Sequence, residues 1–172
     1  IFNRISVSIN ELKIKNNFNF FITADHIDAQ AVCVTNPNSN TASIIINSKL
    51  IELLTLDELM FIIGHEIAHH HFKHYMLPNV IAAKNQIETY EFLDLSRSAE
   101  ISCDRIGFLS TNSLEVSFRA MMKMLAGLDE KYLNFNFKAV MEQLKEIRKL
   151  GGIEDENLET HPNWLLRMRA LK

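Results

Sequence analysis

Five consecutive residues constrain this chain more than any other feature of its sequence. They are His65-Glu66-Ile67-Ala68-His69, which form the pattern HExxH. On an α-helix, residues four apart lie on one face, so His65 and His69 can direct two imidazole nitrogens at the same metal ion. Glu66 is turned by about 100° and emerges beside that ion, where a carboxylate can hold and deprotonate a metal-bound water. A pattern this short also arises by chance, so the prediction of a metal-dependent hydrolase requires a helix around it and a third ligand.

The length and composition favour an ordinary globular domain. At 172 residues we expect one catalytic domain over 1–172, with a sheet part at about 1–54 and a helical part at about 55–172. The hydrophobic fraction of 47% and the charged fraction of 23% are typical of such domains. The net charge of −3 argues against a nucleic-acid partner. Cys33 and Cys103 are too few for a disulfide framework, so we expect free thiols.

The sequence predicts no membrane span in this chain, because it contains no run of about 18 apolar residues. The start at Ile1 lacks the pattern of a signal peptide, and we expect further natural residues before it. The compartment therefore stays open, and a cell-envelope or membrane-associated full-length protein is one of the options.

The N-terminal part carries the strand signals. Phe2, Ile5, Ile9 and Leu12 have helical spacing and predict a short helix over 1–12. Aromatic and β-branched residues predict strands over 18–23, 30–35 and 42–48. The Asn- and Pro-containing turn at 36–40 reverses the chain between the second and third strands. We therefore predict a mainly antiparallel sheet of three or four strands.

The rest of the chain is predicted to be helical. Thr55 and Glu58 form a capping-box pattern that opens a helix over about 56–76, and Pro78 marks its end. Gly64, inside this helix, suits the close approach of another backbone or of substrate. Further helices are predicted over 92–110, 113–127, 136–150 and 162–172, with 79–90 left as helix or loop and 153–160 as a loop. The fold class is therefore α+β, a small sheet packed on the HExxH helix and several further helices.

Glu100 is the candidate for the third ligand. A catalytic zinc site normally has three protein ligands and one open position. Glu100 follows His69 by 31 residues, which leaves room for a loop and a returning helix. Asp104 shares its helical face and can accept the free N–H of a ligand imidazole. The alternative is that Glu100 is an ordinary solvated carboxylate.

The neighbouring histidines and thiols are predicted to lie outside the metal site. His70 and His71 point about 100° and 200° away from His69 on a helix. We expect surface or packing roles for both and for His74. Cys103 is expected to be a buried structural thiol rather than a ligand.

The order of these patterns resembles the gluzincin metallopeptidases. More narrowly, it resembles the family of the heat-shock protease HtpX and the CAAX prenyl endopeptidases, with its small soluble minigluzincin members. The matching segments are Leu56-Asp57-Glu58-Leu59, the HExxH, His74 five residues after His69, residues 98–107 (SAEISCDRIG) and Thr160-His161-Pro162 followed by Arg167. One departure is Asp28-Ala29-Gln30-Ala31, where the family often has Asn-Ala-Phe-Ala, and it bears on substrate contacts.

The resemblance implies a zincin-like fold with one Zn²⁺ per chain, held by His65, His69 and Glu100. It implies that Glu66 is the general base and that Asp104 orients a ligand histidine.

The resemblance also implies that His161 and Arg167 face the active site. Either could stabilise the oxyanion that forms when a peptide carbonyl is attacked. The residues alone leave other roles open: local hydrogen bonds at a helix start for His161, and a surface position or an ion pair with Asp104 or Glu100 for Arg167.

These patterns predict a zinc-dependent endopeptidase acting through a Glu-activated, zinc-bound water. By fold analogy, we expect a peptide, or a segment of an unfolded or membrane protein, to bind along an edge strand through Ser43, Ile44 and Ile45. A latent or non-catalytic zinc domain that binds peptides is the alternative, and an α+β interaction module with an accidental HExxH is a third hypothesis. The oligomeric state stays open.

Overall fold

The structure is a computed structural model that describes residues 14, 17–24, 30–38, 41–149, 162 and 164–171. It has the predicted α+β fold, with a small sheet and several helices. The helix predicted over 1–12, the loop predicted over 153–160 and His161 lie outside the described residues.

Three strands form one mixed sheet. They are β1 (Asn17–Thr23), β2 (Ala31–Thr35) and β3 (Thr41–Asn47), in the order β1-β3-β2. As predicted, β3 runs antiparallel to β2, but it pairs with β1 in parallel. This corrects the expectation of a mainly antiparallel sheet, because β1 joins the far side of β3 instead of pairing with β2.

The predicted edge strand is the central strand. Ser43, Ile44 and Ile45 belong to β3, which has β1 on one side and β2 on the other. Their backbone groups already serve the two neighbouring strands, so they cannot also pair with an added peptide. Among the described strands, β2 is the one whose open edge lies on the side of the HExxH residues. The prediction of substrate pairing at Ser43, Ile44 and Ile45 was therefore wrong.

Six α-helices are described. They are α1 (Ser48–Leu53), α2 (Leu56–His71), α3 (Gln86–Thr111), α4 (Leu114–Ala126), α5 (Phe137–Lys149) and α6 (Trp164–Ala170). Short 3₁₀ turns occupy His74–Met76, Val80–Ala82 and Glu130–Tyr132. Helix α1 was not predicted from the sequence. It begins where the side chain of Asn47 accepts a hydrogen bond of 2.7 Å from the backbone N–H of Lys49.

Helix α2 contains the HExxH and has the predicted capping box. The Thr55 side chain accepts from the Glu58 N–H, and the Glu58 carboxylate accepts from the Thr55 N–H at 2.8 Å. The Glu58 carboxylate also accepts a hydrogen bond of 2.8 Å from Nζ of Lys123, which fixes the start of α2 to α4. The helix ends at His71, five residues before the predicted end, because Lys73 adopts a left-handed conformation with φ of 58°.

The core lies around α2, which packs between the sheet and helices α3 and α4. From β3, Ala42, Ile44 and Ile46 are buried on one face, and from α4, Met121 is fully buried. Nearly every side of α2 is covered, through Leu59, Met60, Phe61, Ile62, Ile63, Ile67 and Ala68. The HExxH residues are therefore held by a helix that has little freedom to shift.

Two glycines let α2 and α3 touch through their backbones. A Cβ atom at Gly64 would lie 3.1 Å from the Cα of Gly107 and would overlap the side chain of Ser110. A Cβ atom at Gly107 would lie 2.6 Å from the carbonyl oxygen of Phe61. The close backbone approach predicted for Gly64 is confirmed, and the contact sets the distance between the two helices that carry the site.

In the part of the chain that the structure describes, no helix combines the length and apolar character needed to cross a membrane.

We expect Gly107→Ala to lower the free energy of unfolding by about 1–3 kcal/mol, because the added methyl group meets a backbone carbonyl that cannot rotate away. Arg105→Ala, on the exposed side of the same helix, is the matched control and should change stability little. Chemical denaturation of both variants measures the difference. Equal stability of the two variants would contradict the helix contact described here.

Candidate metal centre

The three predicted ligands converge in the structure. Nε2 of His65 and Nε2 of His69 are 3.1 Å apart. The two carboxylate oxygens of Glu100 lie 3.4 Å from Nε2 of His65 and 3.3 Å from Nε2 of His69. Helix α2 supplies the two histidines one turn apart, and α3 supplies Glu100 from the facing side. Two ring nitrogens and a carboxylate therefore face one common point.

These separations fit a zinc ion. Donor atoms at about 2.0–2.1 Å from a tetrahedral zinc ion lie about 3.3 Å from one another. The separations of 3.1, 3.3 and 3.4 Å fall around this value, the last two involving different oxygens of the Glu100 carboxylate. Two imidazole nitrogens and one carboxylate are also the donor types that catalytic zinc sites use. The residues present therefore could hold zinc.

The charges around this point also favour a cation. Among the residues that the structure describes, three carboxylates (Glu66, Glu100 and Asp104) are accompanied here by one guanidinium, that of Arg167. Burial alone would lower the pKa of His65, but Asp104 and Glu100 outweigh it and raise this pKa to about 9. The same excess of negative charge favours a divalent cation at the point that the ligand atoms face.

Asp104 and Arg167 form a buried pair behind His65. Oδ1 of Asp104 lies 2.9 Å from Nδ1 of His65, as predicted for a carboxylate that orients a ligand imidazole. Arg167 donates from Nε to Oδ2 and from Nη2 to Oδ1 of Asp104, both at 2.7 Å. Nη2 is also 3.5 Å from Glu100, and the guanidinium lies 4.3 Å from the ring centroid of Trp164. Of the roles left open for Arg167, the structure shows the ion pair.

These ion pairs keep both carboxylates charged. Burial raises the pKa of Asp104, but hydrogen bonds from Arg167 and His65 outweigh it and lower the pKa below its usual range. For Glu100, the hydrogen bonds from His65 and His69 likewise overcome burial and lower the pKa.

Glu66 lies next to the point where the ligands meet. Burial raises the pKa of its carboxyl group, and the charges of His65 and His69 act in the opposite direction. The backbone of Cys33, in β2, also acts to lower this pKa. The carboxylate is therefore held between the helix and the sheet edge, with a proton affinity above that of an exposed glutamate.

Two cavities meet at this point. The larger has a volume of about 580 Å³ and lies between α1, α2, α4 and α6, with Phe61, Met124 and Trp164 in its wall. The second, of about 330 Å³, lies along β2 and reaches Tyr75. Both are lined by His65, Glu66, Glu100 and Ala31. A groove therefore passes the candidate metal ligands and follows β2.

The position of His74 differs from the one that the sequence predicts. A helix through residue 76, as predicted, would turn His74 about 140° away from His69. Because the helix ends at His71, the chain turns back and places Nδ1 of His74 3.2 Å from Nδ1 of His69. Burial and the neighbouring His69 lower the pKa of His74 to about 4, which favours the neutral imidazole.

Cys103 is a second candidate ligand. It is a buried free thiol, as predicted, yet its sulfur belongs to a group with His65 and His69 whose ligand atoms all lie within 4.8 Å of one another. An oxygen of Glu100 lies within 3.4 Å of Nε2 of each histidine, and two imidazoles with a carboxylate are a donor set of catalytic zinc sites, which favours Glu100. The packing role predicted for His70 is confirmed, since it is buried with Nδ1 3.0 Å from Oγ1 of Thr35 and its ring against Phe18.

Comparisons with known proteins place the chain among metallopeptidases. The model of peptidase family M48 matches residues 3–93, slightly more than half of the chain, including the HExxH and ending before Glu100. Plastoglobule-localized metallopeptidase 48, chloroplastic, from Arabidopsis thaliana is 28% identical over an alignment of 153 residues. That alignment covers 74% of this chain and 44% of the relative. No solved structure matches.

We expect Glu100→Gln to weaken zinc binding by more than the roughly 100-fold that changes outside the ligand set cause. Cys103→Ala is the matched variant and should still bind zinc stoichiometrically. Chelator competition followed by elemental analysis measures both. A larger loss of zinc affinity in Cys103→Ala than in Glu100→Gln would show that the thiol, not the carboxylate, completes the site.

Proposed function

The chain belongs to peptidase family M48, a family of metallopeptidases, and from this premise we propose that it is a zinc-dependent endopeptidase. We also propose that its residues form one catalytic domain. The observation that carries the proposal is the convergence of two imidazole nitrogens and a carboxylate, 3.1–3.4 Å apart, beside the carboxylate of Glu66. The chain spans 44% of the length of the curated relative it matches, so the activity of the whole protein is part of the proposal.

In this proposal His65, His69 and Glu100 hold the metal ion. A zinc ion bound there supplies Lewis acidity, which lowers the pKa of water and polarises a substrate carbonyl. Asp104 accepts the Nδ1–H of His65, and this tautomer leaves the lone pair of Nε2 free for the metal.

Glu66 acts as the general base. Its carboxylate accepts a proton from the attacking water and passes it to the amine that leaves. The raised pKa suits this task, because a carboxylate with a higher proton affinity accepts a proton more readily.

Arg167 acts through Asp104 and Glu100 and is therefore a positioning residue. Its Nε and Nη2 groups are engaged by Asp104, which favours this role over direct binding of the oxyanion. His161 stays the candidate oxyanion donor, on the resemblance alone.

The open edge of β2 is the proposed place for the substrate backbone. The carbonyl of Gln30 accepts a hydrogen bond from the N–H of Asn47, so the next residues of β2 that bond to β3 are Val32 and Val34. The backbone groups of Ala31 and Cys33 then face away from β3, toward the groove that Glu66 also lines. An extended peptide segment can pair with this edge beside the metal ligands.

We expect Glu66→Gln to keep stoichiometric zinc and to lower kcat for an unstructured protein substrate by about 10²–10⁴-fold, because the general base is lost. Glu91→Gln, an exposed glutamate of α3, is the control and should cleave like wild type. A wild-type chain that binds zinc but cleaves no unfolded protein would favour the latent or peptide-binding alternative.

We expect Ala31→Pro to raise KM for peptides roughly three- to tenfold, because it removes one outward-facing N–H worth about 0.5–1.5 kcal/mol. A proline is tolerated at an edge where the N–H faces solvent. Val32→Pro is the matched variant, and it should lose stability instead, because its N–H pairs with β3. Steady-state kinetics and thermal unfolding separate the two effects. An unchanged KM in folded Ala31→Pro would exclude β2 as the pairing edge.

A further inference from the structure

We propose that His74 is a positioning residue that fixes the second metal ligand, His69, by accepting the hydrogen bond of its Nδ1–H group. The inference rests on the proposed zinc site. It gives His74, outside the HExxH, a specific part in metal binding.

The geometry of three imidazole rings supports this proposal. His69 directs Nε2 at His65 and Glu100, and its other nitrogen, Nδ1, is 3.2 Å from Nδ1 of His74. The planes of the His69 and His74 rings are nearly perpendicular, with centroids 5.2 Å apart and an interplanar angle of 80°. This arrangement allows a ring N–H of His69 to point at the in-plane lone pair of the His74 nitrogen.

The tautomers follow from metal binding. When Nε2 of His69 gives its lone pair to a metal ion, the proton of the neutral ring must lie on Nδ1. Nδ1 of His74 must then be an acceptor, so His74 carries its own proton on Nε2. Histidines that bind metals commonly donate this second N–H to a fixed partner, which sets the orientation of the ring.

The backbone of the turn after α2 places His74 for this contact. The helix stops at His71, and Lys73 takes a left-handed conformation, with φ of 58°, that a lysine rarely adopts. The N–H of Lys73 bonds to the carbonyl of His70 at 3.0 Å, and a 3₁₀ turn begins at His74. The ring of Phe72 packs beside that of His74, with the two centroids 5.6 Å apart. Lys73 is therefore strained at the point where a continued helix would place His74 away from His69.

The two ligand histidines would then have different partners. His65 has the carboxylate of Asp104, itself bonded to Arg167, whereas His69 has a neutral imidazole. A second carboxylate at His74 would add negative charge to a site that already holds three carboxylates. A neutral acceptor orients His69 without adding to that charge.

Cys103 is the other group at the His74 nitrogen. Its sulfur is 3.4 Å from Nδ1 of His74. A thiol is a weaker hydrogen-bond donor than an imidazole N–H, so His69 is the preferred partner for the single lone pair. Cys103→Ala should therefore preserve the contact between the two histidines.

The test compares zinc affinity in the full chain by chelator competition. His74→Leu should weaken zinc binding about 10–100-fold, the usual cost of removing the partner of a ligand histidine. His74→Asn offers a side-chain oxygen near the position of Nδ1 and should recover most of this loss. His71→Ala, an exposed histidine two residues after His69, is the matched control and should bind zinc like wild type.

A second measurement reads the hydrogen bond directly. Long-range ¹H–¹⁵N NMR of the zinc-loaded wild type should show His69 protonated on Nδ1 and His74 protonated on Nε2. A His74→Leu chain that folds and binds zinc as tightly as wild type would overturn the proposal, as would a proton on Nδ1 of His74. A wild type that binds zinc without cleaving any protein would contradict the proposed function only, since the zinc affinities and the NMR result on His74 would still stand.

Discussion

The buried pair between Asp104 and Arg167 connects the parts of the candidate site. Two hydrogen bonds of 2.7 Å join α6 to α3, and the same carboxylate reaches across to His65 on α2 at 2.9 Å. Three helices from distant parts of the chain therefore meet at one fully buried carboxylate. Removing one member of such a pair leaves an uncompensated buried charge, which typically costs about 3–5 kcal/mol. Helix α6 thus contributes to the candidate metal centre although none of its described residues is a candidate ligand.

Charge balance explains why so many ionisable groups can be buried together. His65, Glu100, Asp104 and Arg167 are all at least nine-tenths buried, and with Glu66 they place three carboxylates near one guanidinium. Burial of unpaired charge is costly, so the excess negative charge of these carboxylates must be neutralised by protons or by a cation. Protonation of His65, whose pKa is raised, is one way to neutralise this charge. A divalent ion bound at the same ligand atoms is the other. The two compete, because a protonated imidazole cannot bind a metal.

The sequence predicted the parts of the site that depend on helical periodicity and missed those that depend on where the chain turns. His65, His69, Glu100 and Asp104 come together as their spacing predicts. The contact of His74 with His69 required knowing that Lys73 is left-handed, a state that lysine itself does not suggest. The sheet order was missed because neighbouring strands were expected to pair in sequence. The run Ile44-Ile45-Ile46, apolar on both faces, was a sign that β3 is the central strand.

The glycine contact between α2 and α3 has a consequence for the choice of metal ion. Because Gly64 and Gly107 bring the helices together through their backbones, Glu100 cannot approach the histidines more closely, and moving away would open a void beside Phe61. The spacing of the donor atoms is then set by the main chain and not by flexible side chains. Calcium, with bonds of about 2.3–2.6 Å and six to eight oxygen donors, would require a wider and more pliable arrangement. A metal ion bound between these two helices would therefore have to match a spacing set by the backbone, which disfavours large ions that need many oxygen donors.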